Sequence, residues 1–322
     1  MIALYILDYA LQKEYGRQNI VEKAISGNRL INFLKEINGG YFRMEKVDLH
    51  THSTASDGLL SPSDLVRLAE GVGLKGIAIT DHDTVDGVEE ALAEGRKRGI
   101  EVVPGVEIST LWHGKEIHML GMYVDYRNNK EFLDLLARQR NARFQRDLNM
   151  IGRLNELGIE ITIEEVMAKK RRDSQKKNVG RPHIAEVLID KGIVNTMNEA
   201  FDKYLGKKGK AYVTPDHISP FAAIDMIHQS GGAAVLAHPG LYEQDDLIPL
   251  LMEKGLDGIE ISHPDHPDFK MRHYLKMARE MKLLATAGSD FHGERHGSMY
   301  HAPLGTCTVN IEVLKDLRSV RS

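Results

Sequence analysis

The chain has 322 residues, of which 42% are hydrophobic and 27% charged, and its net charge is −4. This is the composition of a globular protein with a sizeable core, and the charge argues against binding of polyanions over the whole surface. The single cysteine, Cys307, excludes a disulfide framework and argues against a thiolate zinc site. Imidazole and carboxylate must therefore hold any metal, and the chain has fifteen histidines.

The N-terminal region shows no targeting signal and no recognisable chemistry. No stretch approaches the ~20 apolar residues of a membrane span, and the first apolar run has no basic flank and is broken at Asp8. We therefore predict a cytoplasmic protein. Residues 1–43 are interpreted as an N-terminal extension, which either forms an amphipathic helix over residues 18–37 or lies upstream of a start at Met44.

Strands and helices alternate from Lys46 onward. Ser61 is a predicted N-cap, followed by Pro62 and Asp64 in the first helical turn, and Gly73 is predicted to end this helix. The helix is expected to bury Leu65, Leu68, Ala69 and Val72. A second helix is predicted over residues 88–98, and strands are predicted at Val47–His50, Gly76–Thr80 and Ile100–Pro104.

A hairpin follows, and the alternation returns after residue 212. His113-Gly114 is the predicted turn between the strands Ile108–Leu111 and Glu116–Val124. Three helix–strand pairs are predicted beyond it: Pro220–Gln229 with Ala233–Leu236, Leu247–Lys254 with Gly258–Ile261, and Asp268–Met281 with Leu283–Ala287. About seven strands alternating with helices indicate parallel βα units, and a closed barrel would gather the carboxyl ends of its strands on one face.

Residues 126–212 interrupt this alternation. A long polar helix is predicted over residues 128–157, a second helix begins near residues 161–165, and a third begins at Arg181-Pro182-His183. The basic loop Lys169–Lys177 is most simply a solvated loop. The segment has 19 lysines and arginines and 12 acidic residues, a net charge of +7, and the rest of the chain carries −11. We predict a barrel over residues 44–125 and 213–322, with an inserted helical subdomain over 126–212.

Histidines and carboxylates follow the predicted strands. His50 and His52 face the same way on an extended segment and can reach one ion, and Asp57 follows in a polar loop. A His-x-His pair by itself is incidental about as often as not. Thr80-Asp81-His82-Asp83 ends the next strand, and three ionisable residues in a row are costly to bury unless they are paired or liganded. A helix cap in a solvated loop would explain Asp83 but not the whole cluster.

The pattern continues along the chain. Glu107 ends the third predicted strand, and His118 interrupts an apolar one. A lone buried histidine is more often a hydrogen-bonded core residue than a ligand, but the position of His118 across the hairpin from Glu107 favours a ligand. The last strands end in Ala237-His-Pro239, Ser262-His-Pro264 and Ser289-Asp-Phe-His292. Because strand ends converge in a barrel, these residues together indicate a site for zinc, manganese or iron.

Five motifs resemble those of the PHP (polymerase and histidinol phosphatase) superfamily. They are Asp48-Leu-His-Thr-His-Ser53 with Asp57-Gly58, Ile79-Thr-Asp-His-Asp-Thr84, Pro104-Gly-Val-Glu107, Ala237-His-Pro-Gly240 and Gly288-Ser-Asp-Phe-His292. The chain is most similar to the branch of nucleoside 3′,5′-bisphosphate phosphatases and 5′–3′ exoribonucleases. The resemblance covers about residues 45–310. It implies an α/β fold, a distorted (β/α)7 TIM-like barrel with an inserted helical subdomain.

The resemblance also implies a trinuclear metal centre. Its nine ligand positions have the expected residue type here and are His50, His52, Asp57, His82, Glu107, His118, His238, Asp290 and His292. Catalytic roles are expected for Asp57, His82, Glu107 and His238, with Glu107 bridging two metals. Manganese is the first expectation for the three divalent cations, and zinc and iron accept the same donors. Asp48, Asp81 and Asp83 are expected to orient imidazole rings.

The implied reaction is hydrolysis by a metal-activated hydroxide. The implied substrate, and the expected partner, is a nucleoside 3′,5′-bisphosphate or the 5′ end of a short phosphorylated RNA. Both carry a second phosphate, and the basic insertion is the predicted source of its site. The candidate substrate-binding residues are Arg140, Arg143, Arg181, His183 and His263. Neither a membrane nor an obligate protein partner is expected.

Two other functions stay open. A histidinol-phosphate-type or other small-monoester phosphatase would use the same metals without a site for a 5′-phosphate. A non-catalytic PHP module that binds nucleic acid would be expected to have lost ligands, whereas all nine positions are filled here.

Overall fold

The computed structural model describes residues 45–169, 179–295 and 301–320, together with the backbone of residues 298–299. The N-terminal extension, with its predicted helix over residues 18–37, and the basic loop residues 170–177 lie outside the described residues. Within the described part of the chain, no helix combines the length and the apolar character needed to cross a membrane.

Seven strands form a barrel-shaped sheet that is nearly closed. They are β1 (Lys46–Asp48), β2 (Gly76–Ile79), β3 (Glu101–Trp112), β4 (Lys115–Met122), β5 (Ala233–Leu236), β6 (Gly258–Ser262) and β7 (Leu284–Ala287). They are bonded in chain order, and every adjacent pair is parallel except the two that contain β4. Beyond β1, His52 N donates to the Phe291 carbonyl at 2.9 Å, which joins the two edges. The predicted α/β barrel is confirmed.

Three two-residue strands complete the sheets of the described residues. β8 (Glu294–Arg295) pairs with β9 (Ser298–Met299) after β7, and β10 (Val309–Asn310) lies antiparallel to β1.

β3 is longer than predicted, because it joins two of the predicted strands. Glu107 therefore lies within β3 and not after its end. The predicted hairpin is confirmed, with positive φ angles at the turn residues His113-Gly114. Gly105 does not interrupt the strand. A Cβ there would lie 3.0 Å from the Ile79 carbonyl oxygen, so glycine allows the neighbouring strand to approach closely.

The described residues form ten α-helices. They are α1 (Pro62–Gly71), α2 (Val88–Arg98), α3 (Lys130–Glu156), α4 (Ile163–Ala168), α5 (Arg181–Asp190), α6 (Met197–Ala200), α7 (Pro220–Gln229), α8 (Leu247–Lys254), α9 (Asp268–Met281) and α10 (Val313–Ser319). The predicted bounds of α2, α7, α8 and α9 are confirmed.

α1 begins as predicted but buries fewer residues. The Ser61 hydroxyl accepts the predicted capping hydrogen bond, and Leu65 and Ala69 are buried in the core. Leu68 is only partly buried, and Val72 is 50% exposed. Val72 lies past the last helical residue, where the chain turns away from the core, so the helical periodicity no longer directs its side chain inward.

α3 to α6 have an apolar core separate from that of the barrel. The first half of α3 packs Phe132 and Leu136 into the barrel core, and its second half packs Met150 and Leu154 with residues of α4 to α6. A π-helical turn at Phe201–Leu205 follows α6. We propose that this segment is the helical subdomain expected from the sequence over residues 126–212, anchored to the barrel by one continuous helix.

Candidate metal centre

The nine residues expected to bind metals lie together at one end of the barrel. Three groups of them each offer ligand atoms that are all within 4.8 Å of one another: His52, Asp57, His82 and His292; His50, His52, Glu107 and Asp290; and His82, Glu107 and His118. The ninth residue, His238, lies beside Glu107. All nine are buried except His118, whose side chain is 14% exposed.

Glu107 is at the centre of this cluster. Its Oε1 lies 2.7 Å from His118 Nδ1, 3.1 Å from His238 Nε2 and 3.4 Å from His50 Nε2. Its Oε2 lies 2.9 Å from His82 Nδ1 and 3.3 Å from His52 Nε2. Burial favours the neutral carboxyl, but the surrounding imidazoles outweigh it and hold the pKa of Glu107 well below its usual range. One ionised carboxylate thus contacts five imidazole rings.

Asp290 divides its two oxygens between the cluster and a further pair of histidines. Its Oδ1 lies 3.0 Å from His52 Nε2, and its Oδ2 lies 3.1 Å from His301 Nε2 and 3.4 Å from His263 Nε2. Asp290 has φ of 49° and His238 has φ of 24°. Positive φ is uncommon for residues other than glycine, and such backbone conformations cluster at functional sites.

The polar atoms of the cluster fit metal coordination. Among the residues that the structure describes, several buried atoms that face one another make no hydrogen bond, namely His50 Nε2, His52 Nε2, Asp57 Oδ1, Glu107 Oε2 and Asp290 Oδ1. A buried polar atom left without a partner costs about 1–3 kcal/mol. Imidazole nitrogens and carboxylate oxygens are also the donors that borderline divalent metals prefer, so the residues present suit such cations.

The imidazoles of the cluster differ in charge. Burial lowers the pKa of His82 to about 3 and that of His238 to about 4, so both rings are neutral at neutral pH. Burial also opposes charge on His52 and His118, but it is outweighed by neighbouring carboxylates, foremost Asp290 for His52 and Glu107 for His118. Their pKa values rise to about 10 and about 9. A metal would have to displace these protons.

The three aspartates expected to orient imidazole rings do not contact them. Asp48 accepts hydrogen bonds from three backbone amides, at 2.9 to 3.3 Å. Asp81 accepts from the backbone and hydroxyl of Ser53 and from the Ser56 hydroxyl. Asp83 accepts from Ser109 N and Oγ. Among the described residues the expected direct contacts are missing, because these carboxylates point to the loops and strands beside them and stabilise the backbone that carries the ligands. Asp81 reaches a ring only through Ser56 Oγ, which lies 3.5 Å from His52 Nδ1.

Other residues, which sequence reasoning missed, contact the imidazoles. Glu260 in β6 has its Oε1 3.2 Å from His50 Nδ1 and its Oε2 2.8 Å from His238 N. His301 lies between Asp290 and Asp265, with Nδ1 2.7 Å from Asp265 Oδ2. The available signal for Glu260 was a carboxylate in the otherwise apolar strand Gly258–Ser262. His301 lies outside the helices and strands, so no periodic pattern in the sequence indicated it.

The predicted substrate-binding arginines lie near the cluster, but the structure engages them in other contacts. Arg143 is 4% exposed and pairs with Asp83 at 3.3 Å. Arg140 donates to the Asp83 carbonyl at 2.6 Å. Arg181 pairs with Glu116 at 3.2 Å and keeps 20% of its side chain exposed.

The two predicted substrate-binding histidines are buried. His183 Nδ1 accepts a hydrogen bond from Gly180 N at 3.1 Å and so holds the start of α5. That start is close to the cluster, because a Cβ on Gly180 would lie 3.3 Å from Asp57 Oδ2. His263 is 1% exposed and contacts Asp290. The structure therefore brings His263 to the metal cluster and His183 to the adjacent helix N-terminus.

Comparisons with known proteins agree with this geometry. Residues 48–165 match the family model described as the PHP domain. The chain is 36% identical over 253 residues to a 5′-3′ exoribonuclease of Haemophilus influenzae, covering 77% of this chain and 90% of that protein. It is 33% identical over 259 residues to a 3′,5′-nucleoside bisphosphate phosphatase of Chromobacterium violaceum, covering 79% and 90%. A crystal structure from Bifidobacterium adolescentis, described as a metal-dependent phosphoesterase, matches with a TM-score of 0.77 and 31% identity over 84% of this chain and 94% of that one.

The nearly closed α/β barrel, the buried imidazoles and carboxylates at one end of it and these relatives together place the chain in the class of metal-dependent phosphoesterases. The chain belongs to the PHP family within that class, as its motifs indicated. It is therefore a hydrolase of phosphoester bonds.

Proposed function

We propose that this protein holds three divalent cations in the buried cluster and hydrolyses phosphoesters of nucleotides or short RNA. The observation that carries the proposal is the position of Glu107, whose two oxygens have five imidazole nitrogens within 3.4 Å. Hydrogen bonding in a protein core does not require so many rings around one carboxylate. Imidazole nitrogens gathered around an ionised carboxylate are, however, the donor set that would hold borderline divalent cations.

Each of the three residue groups would hold one cation, and His238 would complete the coordination around Glu107 Oε1. Manganese is the metal we expect first, and zinc and iron suit the same donors. When bound, such cations supply a water of lowered pKa and neutralise charge on the phosphoryl oxygens. The chain contributes ligands in the charge state that metal binding needs. Asp57 and Glu107 are ionised, and His82 and His238 are neutral. We assign catalytic roles to these four residues.

We infer that the substrate carries a 5′-phosphate near the phosphoester that is cleaved. Both named relatives act on substrates of nucleotide chemistry, by their names. In this chain, α5 begins beside Asp57, and a helix N-terminus with an adjacent arginine favours phosphate. We propose that Arg181 and Arg140 contact that phosphate. Arg143, His183 and His263 are too buried for direct contact and would support the site through Asp83, Gly180 and Asp290.

The test is a substrate panel with protein purified without chelators. Its metal content is measured first, and hydrolysis of a 3′,5′-bisphosphate, a 5′-phosphorylated short RNA and histidinol phosphate is then compared in Mn²⁺. We expect the first two substrates to be preferred. His50→Ala and Asp290→Ala should lose both bound metal and hydrolysis, and wild-type rates in either variant would refute the metal centre.

The two competing functions give different results in the same panel. Arg181→Ala should weaken hydrolysis of the bisphosphate and leave a simple monoester unaffected. An equal loss on both would contradict a dedicated site for the 5′-phosphate and favour the histidinol-phosphate-type enzyme. A non-catalytic nucleic-acid-binding module would bind RNA but hydrolyse no substrate at any metal concentration.

A further inference from the structure

Glu116 contacts both the candidate metal centre and the arginine proposed to bind phosphate. It lies in β4 two residues before His118, so the two side chains share one face of the strand. Its Oε1 lies 3.5 Å from His118 Nε2, and its Oε2 lies 3.2 Å from a guanidinium nitrogen of Arg181. The Glu116 side chain is only 9% exposed, so solvent screens neither contact strongly.

The contact with His118 has the geometry of a supporting carboxylate. His118 directs Nδ1 at Glu107, 2.7 Å away, which leaves its Nε2 for Glu116. A carboxylate behind a metal-binding imidazole fixes the tautomer of the ring and makes it a stronger donor. Glu116 would therefore influence a cation held by His118 through the imidazole ring.

The cationic partners of Glu116 differ in their access to solvent. Arg146 lies 3.3 Å from Oε1 and is fully buried. The Arg181 side chain is 20% exposed and begins α5, next to the cluster. A ligand can therefore reach Arg181 but not Arg146, and only the Oε2 contact can respond to substrate.

We propose that Glu116 is a positioning residue through which phosphate bound at Arg181 strengthens the metal centre, an inference that rests on the proposed function. A phosphate group on Arg181 takes part of the guanidinium charge away from Glu116 Oε2. The carboxylate then polarises His118 more strongly, and His118 donates more strongly to its cation. Because such coupling is reciprocal, bound metal strengthens phosphate binding by the same factor.

The deciding measurement is Mn²⁺ affinity without substrate, in the wild type, Glu116→Gln, Arg181→Ala and the double variant. We expect affinity to fall about tenfold in Glu116→Gln, as for other lost partners of ligating histidines. In Arg181→Ala it should rise by about fivefold, because Glu116 has lost a competing cation. The double variant should not show this rise. Additive effects, or wild-type affinity in Arg181→Ala, would overturn the proposal.

Two further variants separate positioning from damage to the fold. Glu116→Asp keeps the charge and should recover part of the lost affinity, which a purely structural defect would not allow. Glu165→Gln removes a carboxylate that lies 2.7 Å from Lys191 in the same helical segment, and it should leave metal affinity unchanged. Circular dichroism verifies folding, and wild-type affinity in Arg181→Ala overturns the proposal even if Glu116→Gln does not fold.

Kinetics distinguish failure of this inference from failure of the proposed function. The preference for a 5′-phosphorylated over a 5′-hydroxyl dinucleotide, measured as the ratio of their kcat/KM values, should fall in both variants. In Arg181→Ala the fall should come from a higher KM, and in Glu116→Gln from a lower kcat. Non-additive metal affinities without any preference for the 5′-phosphate would refute the proposed substrate and leave the coupling intact. A clear preference with additive affinities would refute the coupling alone.

Discussion

Replacing Glu260 with glutamine tests whether the buried cluster is a metal centre supported by its surroundings. Glu260 is fully buried, and its two oxygens lie 3.2 and 3.3 Å from His50 Nδ1. The opposite nitrogen of the same ring, Nε2, faces Glu107 and Asp290. Glu260 therefore orients His50 from behind and increases its basicity as a ligand.

The size of the effect follows from these contacts. Loss of such a partner lowers metal affinity about 10- to 100-fold, or about 1.4–2.7 kcal/mol. The glutamine carbonyl can still accept the hydrogen bond from His238 N, which Glu260 receives at 2.8 Å. The amide nitrogen would then replace the Glu260 oxygen that lies 3.2 Å from His50 Nδ1, so the variant loses both the charge and an acceptor behind His50. Without solvent screening we expect the upper part of the range, about 100-fold.

The assay is a Mn²⁺ titration of metal-stripped protein by calorimetry, with folding verified by circular dichroism. Glu94→Gln is the matched control, since Glu94 is 5% exposed and pairs with Arg98 at 2.6 Å on α2. This variant also loses a buried carboxylate, yet its metal affinity should not change. Unchanged affinity in Glu260→Gln, or an equal loss in Glu94→Gln, would refute the reasoning.

Two further predictions concern protons and packing. The pKa values of about 10 for His52 and about 9 for His118 mean that both rings are charged in the metal-free protein at neutral pH. Metal loading should release protons, and metal affinity should increase with pH; calorimetry in buffers of different ionisation enthalpy measures the release, and pH-independent affinity would contradict it. The same protons stabilise the metal-free fold below the unfolded pKa, and its stability should fall as pH rises through about 9 to 10. Gly288→Ala should destabilise the protein by about 1–3 kcal/mol and weaken metal binding, because its Cβ would lie 2.1 Å from His50 Cβ. In urea unfolding, Gly152→Ala is the control: nothing lies within 4 Å of its Cβ, so it should be stabilising by about 0.5–1 kcal/mol, and similar behaviour of the two variants would count against the packing argument.

Much of the fold and of the candidate site was determined by the sequence alone. Helix caps and apolar periodicity are local signals, which is why the bounds of α2, α7, α8 and α9 agree with prediction. The convergence of His50, His118 and Asp290 was also predictable, because alternating strands and helices imply a barrel and a barrel brings strand ends together. Glu107 lies in the same cluster, although the sequence placed it at the end of a strand and not within one.

The partners of these residues were decided only by the tertiary structure. Asp81 and Asp83 adjoin His82 in sequence, yet they bond to loop and strand groups. His50 instead meets Glu260, which is 210 residues away along the chain. The partners of a buried carboxylate depend on which donors the packing brings close to it. For Glu260 they depend on where β6 lies in the nearly closed barrel, and for Glu116 on the contact between α5 and β4. Local sequence patterns do not predict contacts between residues far apart in the chain. The contacts of Glu260 with His50 and of Glu116 with Arg181 therefore follow only from the tertiary structure.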